Sequence, residues 1–264
     1  MKPVKINKEL LFPFVIYNEP FKYDENITLH PVTMKDVLTF QPLSQCIIVR
    51  KNSTFHEKQI IKMSYMDFLI FCLGKEDLEE QYKIPGLSHY YIFALQLLKL
   101  CCPESEIKVN EQNGYFVIND KTVTPQMFDD LRRIIIIQND IDFDIDEFLN
   151  YDTEQRLLKA QKDSSKNTKD NTPNIEDYID SLAIVMKMTE KEILNMTIRK
   201  FWRYIKRYQL YESYNILKTG ECSGMVSFKE PIEYWMSGIE SGDKYSSYKS
   251  EEQIIKNKIN EANG

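Results

Sequence analysis

The chain has little glycine, with eight residues in 264. Phosphate-binding loops depend on closely spaced glycines, and neither G-x-G-x-x-G nor a P-loop occurs here. No apolar run approaches the ~20 residues that a membrane-spanning helix requires. Polar residues and proline also interrupt the amino-terminal MKPVKINKELLFPF, where a secretion signal would carry its apolar stretch. We therefore expect no membrane contact, and synthesis in the cytoplasm.

Histidine is also scarce, and the cysteines do not have the spacing of a metal-binding or redox motif. His30, His56 and His89 lie in separate segments, and none has a partner at metal-ligand spacing. G-x-S-x-G and H-E-x-x-H are absent. The sequence predicts no catalytic residue, no cofactor and no metal site, so we expect a protein that is not an enzyme. We expect no disulfide among the five cysteines, which lack C-x-x-C spacing: Cys46, Cys72, Cys101, Cys102 and Cys222.

An alternating acidic run suggests a calcium loop at first sight. Its acids are Asp140, Asp142, Asp144 and Asp146. An EF-hand loop needs glycine at its sixth position and glutamate at its twelfth, and this run has Ile145 and Tyr151 there. Because apolar residues alternate with the acids, the run favours an edge strand or an amphipathic loop over a metal site.

Local signals predict most elements of the amino-terminal half. Residues 1–31, with LLFPFVIY and NITLHPV, are predicted to be extended. A helix is expected after Thr33, interrupted at Pro42. MSYMDFLIFCLG is predicted to be a helix capped by Ser64, and GLSHYYIFALQLLKLCCP a helix capped by Ser88.

The pattern then changes to strands and returns to helices. EIKVNEQNGYFVIND alternates with period two around Asn113-Gly114, which predicts a β-hairpin. Thr124 followed by Pro125 marks the start of the next helix. Thr189 and Glu192 form a capping box for a later one.

Composition divides the chain into four parts. We predict a mixed α+β module over 1–150, a polar linker over 151–173, a helical module with an arm rich in Met and Trp over 174–245, and a polar tail over 246–264. The fold class is therefore α+β, mainly helical, with one β-hairpin in the amino-terminal module and a helical carboxyl-terminal module.

The stretch TIRKFWRYIKRYQLYESY predicts an amphipathic helix. One stripe is apolar and includes Trp202, which we expect to be buried. The cations fall mainly around the opposite side: Arg199, Arg203, Lys206 and Arg207. The helix has no short polar residue of the kind that reads DNA bases before Gln209, and the net charge is −6. A packing helix with a cationic back is favoured over a protein-partner surface, and both over a nucleic-acid site.

The following segment, SGMVSFKEPIEYWMSGIESGDKYSS, contains several large apolar residues but no predicted long helix that could bury them. Its candidate anchors are Met225, Phe228, Trp235 and Met236. Met adapts its shape and Trp supplies a large anchor, as at docking sites. Two interpretations stay open: a partner-binding arm, and an arm packed on its own helical domain.

The helical run SLAIVMKMTEKEILNMTIRKFWRYIKRYQLYESYNI, followed by SGMVSFKEPIEYWMSGIE, resembles tail-assembly chaperones or baseplate-assembly proteins of large tailed bacteriophages of Gram-positive hosts. The resemblance implies a non-enzymatic assembly factor that acts through protein contacts. It implies tail or baseplate proteins as partners, with the tape-measure protein among the candidates, and leaves a homo-oligomer open. It carries no catalytic residue.

Two alternatives to the assembly factor remain. A permanent virion subunit of the baseplate or neck would use the same surfaces and be found in particles, whereas an assembly factor would stay in the host cytoplasm. A nucleic-acid-binding module would use the basic helix, and its affinity would fall steeply with salt.

Overall fold

The computed structural model describes residues 6–146, 173–224, 228 and 230–239. It divides into two compact units, Met1–Trp202 (unit 1) and Arg203–Gly264 (unit 2). The predicted linker over 151–173 and the polar tail lie almost wholly outside the described residues. Within the described ranges, no helix is both long and apolar enough to cross a membrane.

Unit 1 is mainly helical, and with its two small sheets it confirms the predicted α+β class. Its helices in chain order are α1 (Lys8–Tyr17), α2 (Val37–Ser44), α3 (Lys51–Thr54), α4 (Lys58–Lys62), α5 (Tyr65–Cys72), α6 (Glu76–Tyr82), α7 (Tyr90–Cys101), α8 (Pro125–Gln138), α9 (Ile175–Met186) and α10 (Glu190–Leu194). Helix α11 (Ile198–Cys222) begins in unit 1 and ends in unit 2.

Two antiparallel sheets accompany these helices. Strands β1 (Phe21–Lys22) and β2 (Thr28–Leu29) form the first. Strands β3 (Ile107–Val109), β4 (Phe116–Ile118) and β5 (Lys121–Thr122) form the second, in that order. The β3–β4 pair is the hairpin predicted around Asn113-Gly114, and Gly114 has the positive φ of 73° that its turn requires.

The core of unit 1 is built where α2, α5, α7 and α8 pack together. Helix α7 is almost wholly apolar, and half of its twelve residues are buried. Aromatic rings fill the space between these helices and β4: Phe68, Phe116 and Phe128 are each at most 2% exposed.

The predicted helix starts at Ser64, Thr124 and Thr189 are confirmed. Each of these side chains accepts a hydrogen bond from the backbone N–H three residues on. The Glu192 carboxylate in turn accepts a hydrogen bond from the Thr189 backbone N–H, which completes the predicted capping box. Backbone and side-chain hydrogen bonds from Thr189 lower the pKa of Glu192.

The prediction of an extended segment over LLFPFVIY is wrong, because these residues form α1. The Asn7 side chain caps the helix by accepting from the Leu10 N–H at 2.8 Å. Leu11 and Val15, one turn apart, supply the buried face. Pro13 lies inside the helix, so the tertiary burial of that face outweighs the lost backbone bond.

Two further helix predictions are corrected in detail. Pro42 does not interrupt its helix and lies inside α2, on which Val37, Phe40 and Leu43 are buried. Ser88 does not cap α7, because it lies in the single 3₁₀ turn Leu87–His89 that precedes the helix.

Unit 1 joins segments that are far apart in sequence. The backbone N–H of Met34 donates to the Met196 carbonyl at 2.8 Å, and the N–H of Ile198 donates to the Val32 carbonyl at 2.9 Å. The side chains of Val32, Met34 and Ile198 are at most 5% exposed. Residues that follow the predicted linker therefore pair directly with residues of the amino-terminal part.

Side chains at the start of α11 add to this pairing. The Thr197 hydroxyl donates to Asn18 Oδ1 at 2.9 Å. The Arg199 guanidinium donates to the Val15 carbonyl at 3.1 Å. Both contacts reach the end of α1, so the first turn of α11 is held to the rest of unit 1 by polar as well as apolar contacts.

All five cysteines are free thiols, and Cys222 is exposed whereas the other four are buried. Burial raises the pKa of Cys72 and Cys102 to about 12, and it raises the pKa of Cys46 and Cys101 as well. Because the thiolate is the reactive form, we expect a maleimide to label one thiol rapidly in the native protein and five after denaturation. Cys222→Ser should abolish the rapid phase. Rapid native labelling of two or more thiols would contradict this burial.

Candidate functional site

The described part of unit 2 consists of the rest of α11 and a segment that returns to it. We call residues 228–239 the arm, of which 228 and 230–239 are described. Helix α11 ends at Cys222, and Gly224 follows with φ of 68° and open space around its Cα. Glycine adopts this left-handed conformation without strain and commonly terminates helices in this way.

Arg207 holds the arm by its backbone. Its Nη1 donates to the carbonyl oxygen of Trp235 and, at 2.9 Å, to that of Ser237. The Ser237 N–H donates to the Tyr234 carbonyl at 2.9 Å, so the arm turns at this point. The guanidinium thus donates to two carbonyl oxygens of one tight turn. Charged donors make stronger hydrogen bonds than neutral ones.

Aromatic pairs complete the contact. Trp235 meets Tyr211 edge to face with ring centroids 5.2 Å apart. Tyr234 meets Tyr214 in the same manner at 5.5 Å. Such pairs add ~0.5–1.5 kcal/mol each beyond the apolar area they bury. Arg207, Tyr211 and Tyr214 lie on one face of α11, which we call the receiving face.

The sequence indicates one residue on each side of this contact, Arg207 on the helix and Trp235 on the arm, and the structure brings them together. Tyr211, Tyr214 and Tyr234 are not among the residues predicted from sequence. The spacing of Arg207, Tyr211 and Tyr214 by four and three residues places them on one helix face, and this was the signal that could have found them.

The predicted anchors have different surroundings. Met236 is 57% exposed, whereas Trp235 and Phe228 are half-buried. Met225 lies outside the described residues. The arm is therefore docked through its backbone and Trp235 while the Met236 side chain projects to solvent.

The predicted cations are divided between the units. Arg199 belongs to unit 1, where it contacts Val15. In unit 2, Lys206 is exposed, and Arg203 and Arg207 are half-buried. The described part of the arm contributes the opposite charge through Glu230 and Glu233, both exposed. The part of α11 around Arg207 is thus basic, and the described part of the arm carries two exposed acids.

The expectation that Trp202 is buried is corrected. Phe201, next to it, is 0% exposed, and Ile198 and Ile205 are buried on the same face. Trp202 lies about 100° further round the helix and is only half-buried. It packs edge to face on Tyr178, with ring centroids 5.1 Å apart.

The acidic run is an amphipathic loop. From residue 140 to 146 the aspartates are exposed and the apolar residues between them are half-buried. Phe143 lies 4.4 Å from the Arg50 guanidinium, and Arg133 makes two hydrogen bonds to Asp146 at 2.7 and 2.9 Å. No group of three or more His, Cys, Asp or Glu suited to a metal ion occurs among the residues with described positions.

One cluster combines the residue types of hydrolases. The Ser88 hydroxyl donates to Glu79 at 2.7 Å and lies 2.9 Å from His89 Nδ1. Ser88 is only 2% exposed, and Glu79 also accepts from the backbone N–H groups of Gly86 and Ser88. These bonds lower the pKa of Glu79. The cluster closes the loop before α7 and offers no accessible nucleophile.

Comparison with known proteins gives one family match. Residues 162–240 match the model of the YomV second domain, a family derived from a protein of Bacillus phage SPBc2. The matched range includes α9, α10, α11 and the arm, and the match is consistent with a phage protein. No curated protein and no solved structure gives a significant match.

Proposed function

We propose that this chain is a non-enzymatic assembly factor of a phage tail or baseplate, and that unit 2 is the element that binds its partner. The match to a phage-derived family supports the phage setting of this proposal, and its range includes the arm. The resemblance noted for the same residues supports a role in tail or baseplate assembly. The factor would act in the host cytoplasm.

The observation that carries the proposal is the apolar surface of unit 2. In its described part, no hydrophobic residue after Ile205 is fully buried. Contiguous exposed apolar surface marks interaction sites in soluble proteins. The large hydrophobic side chains left exposed on the helix and the arm are Leu210, Tyr211, Ile216, Leu217, Tyr234 and Met236.

Charge indicates the chemistry of the partner. Arg203 and Lys206 lie on the same helix as this apolar surface, and the described arm is acidic. A partner that presents an apolar anchor with acidic neighbours would fit the basic helix. Basic rims steer such partners and raise the association rate, so binding should weaken with salt. Tail and baseplate proteins, including the tape-measure protein, are the candidates.

The test is a phage that carries Met225→Ser, Trp235→Ser and Met236→Ser together. We expect incomplete tails or baseplates in electron micrographs and a loss of infectious particles, with normal abundance of the protein in lysates. The matched control replaces Leu38 and Ile184, exposed by 68% and 79% in unit 1, with Ser. The control phage should assemble normally.

Normal particle yield from the triple variant would refute the proposal. Loss of the protein itself would favour the alternative in which the arm only completes the fold of its own domain. Mass spectrometry separates the assembly factor from a virion subunit, since the assembly factor should be abundant in infected lysate and absent from purified particles.

A further inference from the structure

The arm and its receiving face form a complete interface within one chain. The polar contacts run from Arg207 to the Trp235 and Ser237 carbonyls, and the aromatic contacts run from Tyr211 and Tyr214 to the arm. The signs of charge are complementary as well, because this part of α11 carries arginine and lysine and the described arm carries Glu230 and Glu233. Every chain therefore carries both a site and the segment that fills it.

The connection between these two parts is long enough to reach a neighbouring molecule. Residues 223–227 separate the end of α11 from the arm. A stretch from Cys222 to Phe228 can span at most roughly 20–22 Å when extended. Gly224, with φ of 68° and no atom within 4 Å of an added Cβ, lies at the start of this connection. Glycine adopts both positive and negative φ readily, so the chain can change direction at this residue more easily than at any other residue type.

Exchange of the arm between two copies would keep all of these contacts. Each face would receive the other copy's arm, so the contacts broken in one chain are remade in the pair. Whether the monomer or the dimer is more stable then depends on new contacts between the two copies of α11. Leu210 and Leu217, 38% and 39% exposed, lie two turns apart on one side of α11, and Ile216 beside them is 68% exposed. These side chains are available to pack when two such helices are brought together.

We propose that the occupant of the receiving face in the assembled state is the arm of a second copy of this chain, so that two chains form an arm-exchanged dimer. Such a dimer contains two copies of the interface between arm and receiving face, and it would cover Leu210 and Leu217. It does not depend on the identity of any phage partner.

The test uses two full-length variants with complementary defects and different tags. Variant one carries Tyr234→Ala and Trp235→Ala, which damages the arm and leaves the receiving face intact. Variant two carries Arg207→Ala and Tyr211→Ala, which damages the face and leaves the arm intact. Sedimentation velocity measures self-association of each, and tag pull-down measures pairing in an equimolar mixture. Gln209→Ala is the matched control, because Gln209 is exposed and lies about 200° round α11 from Arg207.

We expect wild type and the control to dimerise with increasing concentration. Each variant alone should associate at least about tenfold more weakly, as truncation of aromatic or arginine anchors typically does. The mixture should recover heterodimers, because an intact arm then meets an intact face. The proposal is overturned if wild type stays monomeric at the highest soluble concentration, if either variant dimerises like wild type, or if the mixture gains nothing over its components.

These outcomes are independent of the proposed function. The dimer is measured on purified protein, whereas the assembly role is measured as particle yield. A monomeric protein whose triple variant still blocks assembly would overturn arm exchange alone. A dimer that pairs as expected, in a phage that assembles normally with the triple variant, would overturn the assembly role alone.

Discussion

Replacing Phe201 with Ala is expected to lower the free energy of unfolding by about 3–5 kcal/mol. Phe201 is 0% exposed, and it lies on the face of α11 that also carries the buried Ile198. Truncation of the ring removes the apolar area it buries and leaves a cavity that the surroundings fill only in part. Urea denaturation followed by circular dichroism measures the change.

The neighbouring Trp202 is the matched control. It is the larger residue but only half-buried, and its ring packs edge to face with that of Tyr178. Trp202→Ala should therefore cost less, roughly 1–2 kcal/mol, which is within the usual range for single substitutions. If Trp202→Ala proved the more damaging of the two, the assignment of the buried face of α11 would be wrong.

This pair shows how far periodicity alone can place a helix. The alternation of apolar and cationic residues predicts the helix and its buried side, and Ile198 and Ile205 are buried as the stripe requires. Successive residues differ by about 100° on a helix. A stripe that contains both Phe201 and Trp202 does not reveal which ring faces the centre, because that depends on which elements pack against it.

Local chemistry was the most reliable source of prediction. The caps at Ser64, Thr124 and Thr189 depend on atoms within three residues, and so does the turn at Asn113-Gly114. The sequence is therefore sufficient for them. Helix α1 was missed because prolines disfavour helices locally, whereas its stability comes from the burial of a face against distant elements such as α8.

The candidate site was predicted only in part for the same reason. Composition drew attention to Trp235 and Met236, since large apolar residues without a local helix are unusual. Their surroundings depend on the contact between Tyr211 and Trp235, which are 24 positions apart. The periodicity of the sequence does not predict such a contact. Sequence alone therefore leaves open whether the arm is free or docked. In the structure it is docked, and Arg207 donates hydrogen bonds to its backbone carbonyls.

Cleavage of the folded chain between residues 151 and 172 should leave both fragments bound to each other. Composition predicts a linker there, and a linker between independent modules would let them separate. However, the Met34 and Ile198 backbone N–H groups donate across this boundary, to the Met196 and Val32 carbonyls. We expect the nicked protein, carrying an inserted protease site, to elute as one species in size exclusion at micromolar concentration.

A substitution in the carboxyl-terminal fragment should release this association. Ile198→Asp places a carboxylate at a position that is 5% exposed, next to the paired backbone. Burying an unpaired charge is costly, so we expect the nicked variant to separate into two peaks. Ile184→Asp is the matched control in the same fragment, because Ile184 is 79% exposed and should tolerate the charge. Separation of the nicked wild type would instead mean that the pairing of Val32 and Met34 with the start of α11 is too weak to join the two parts.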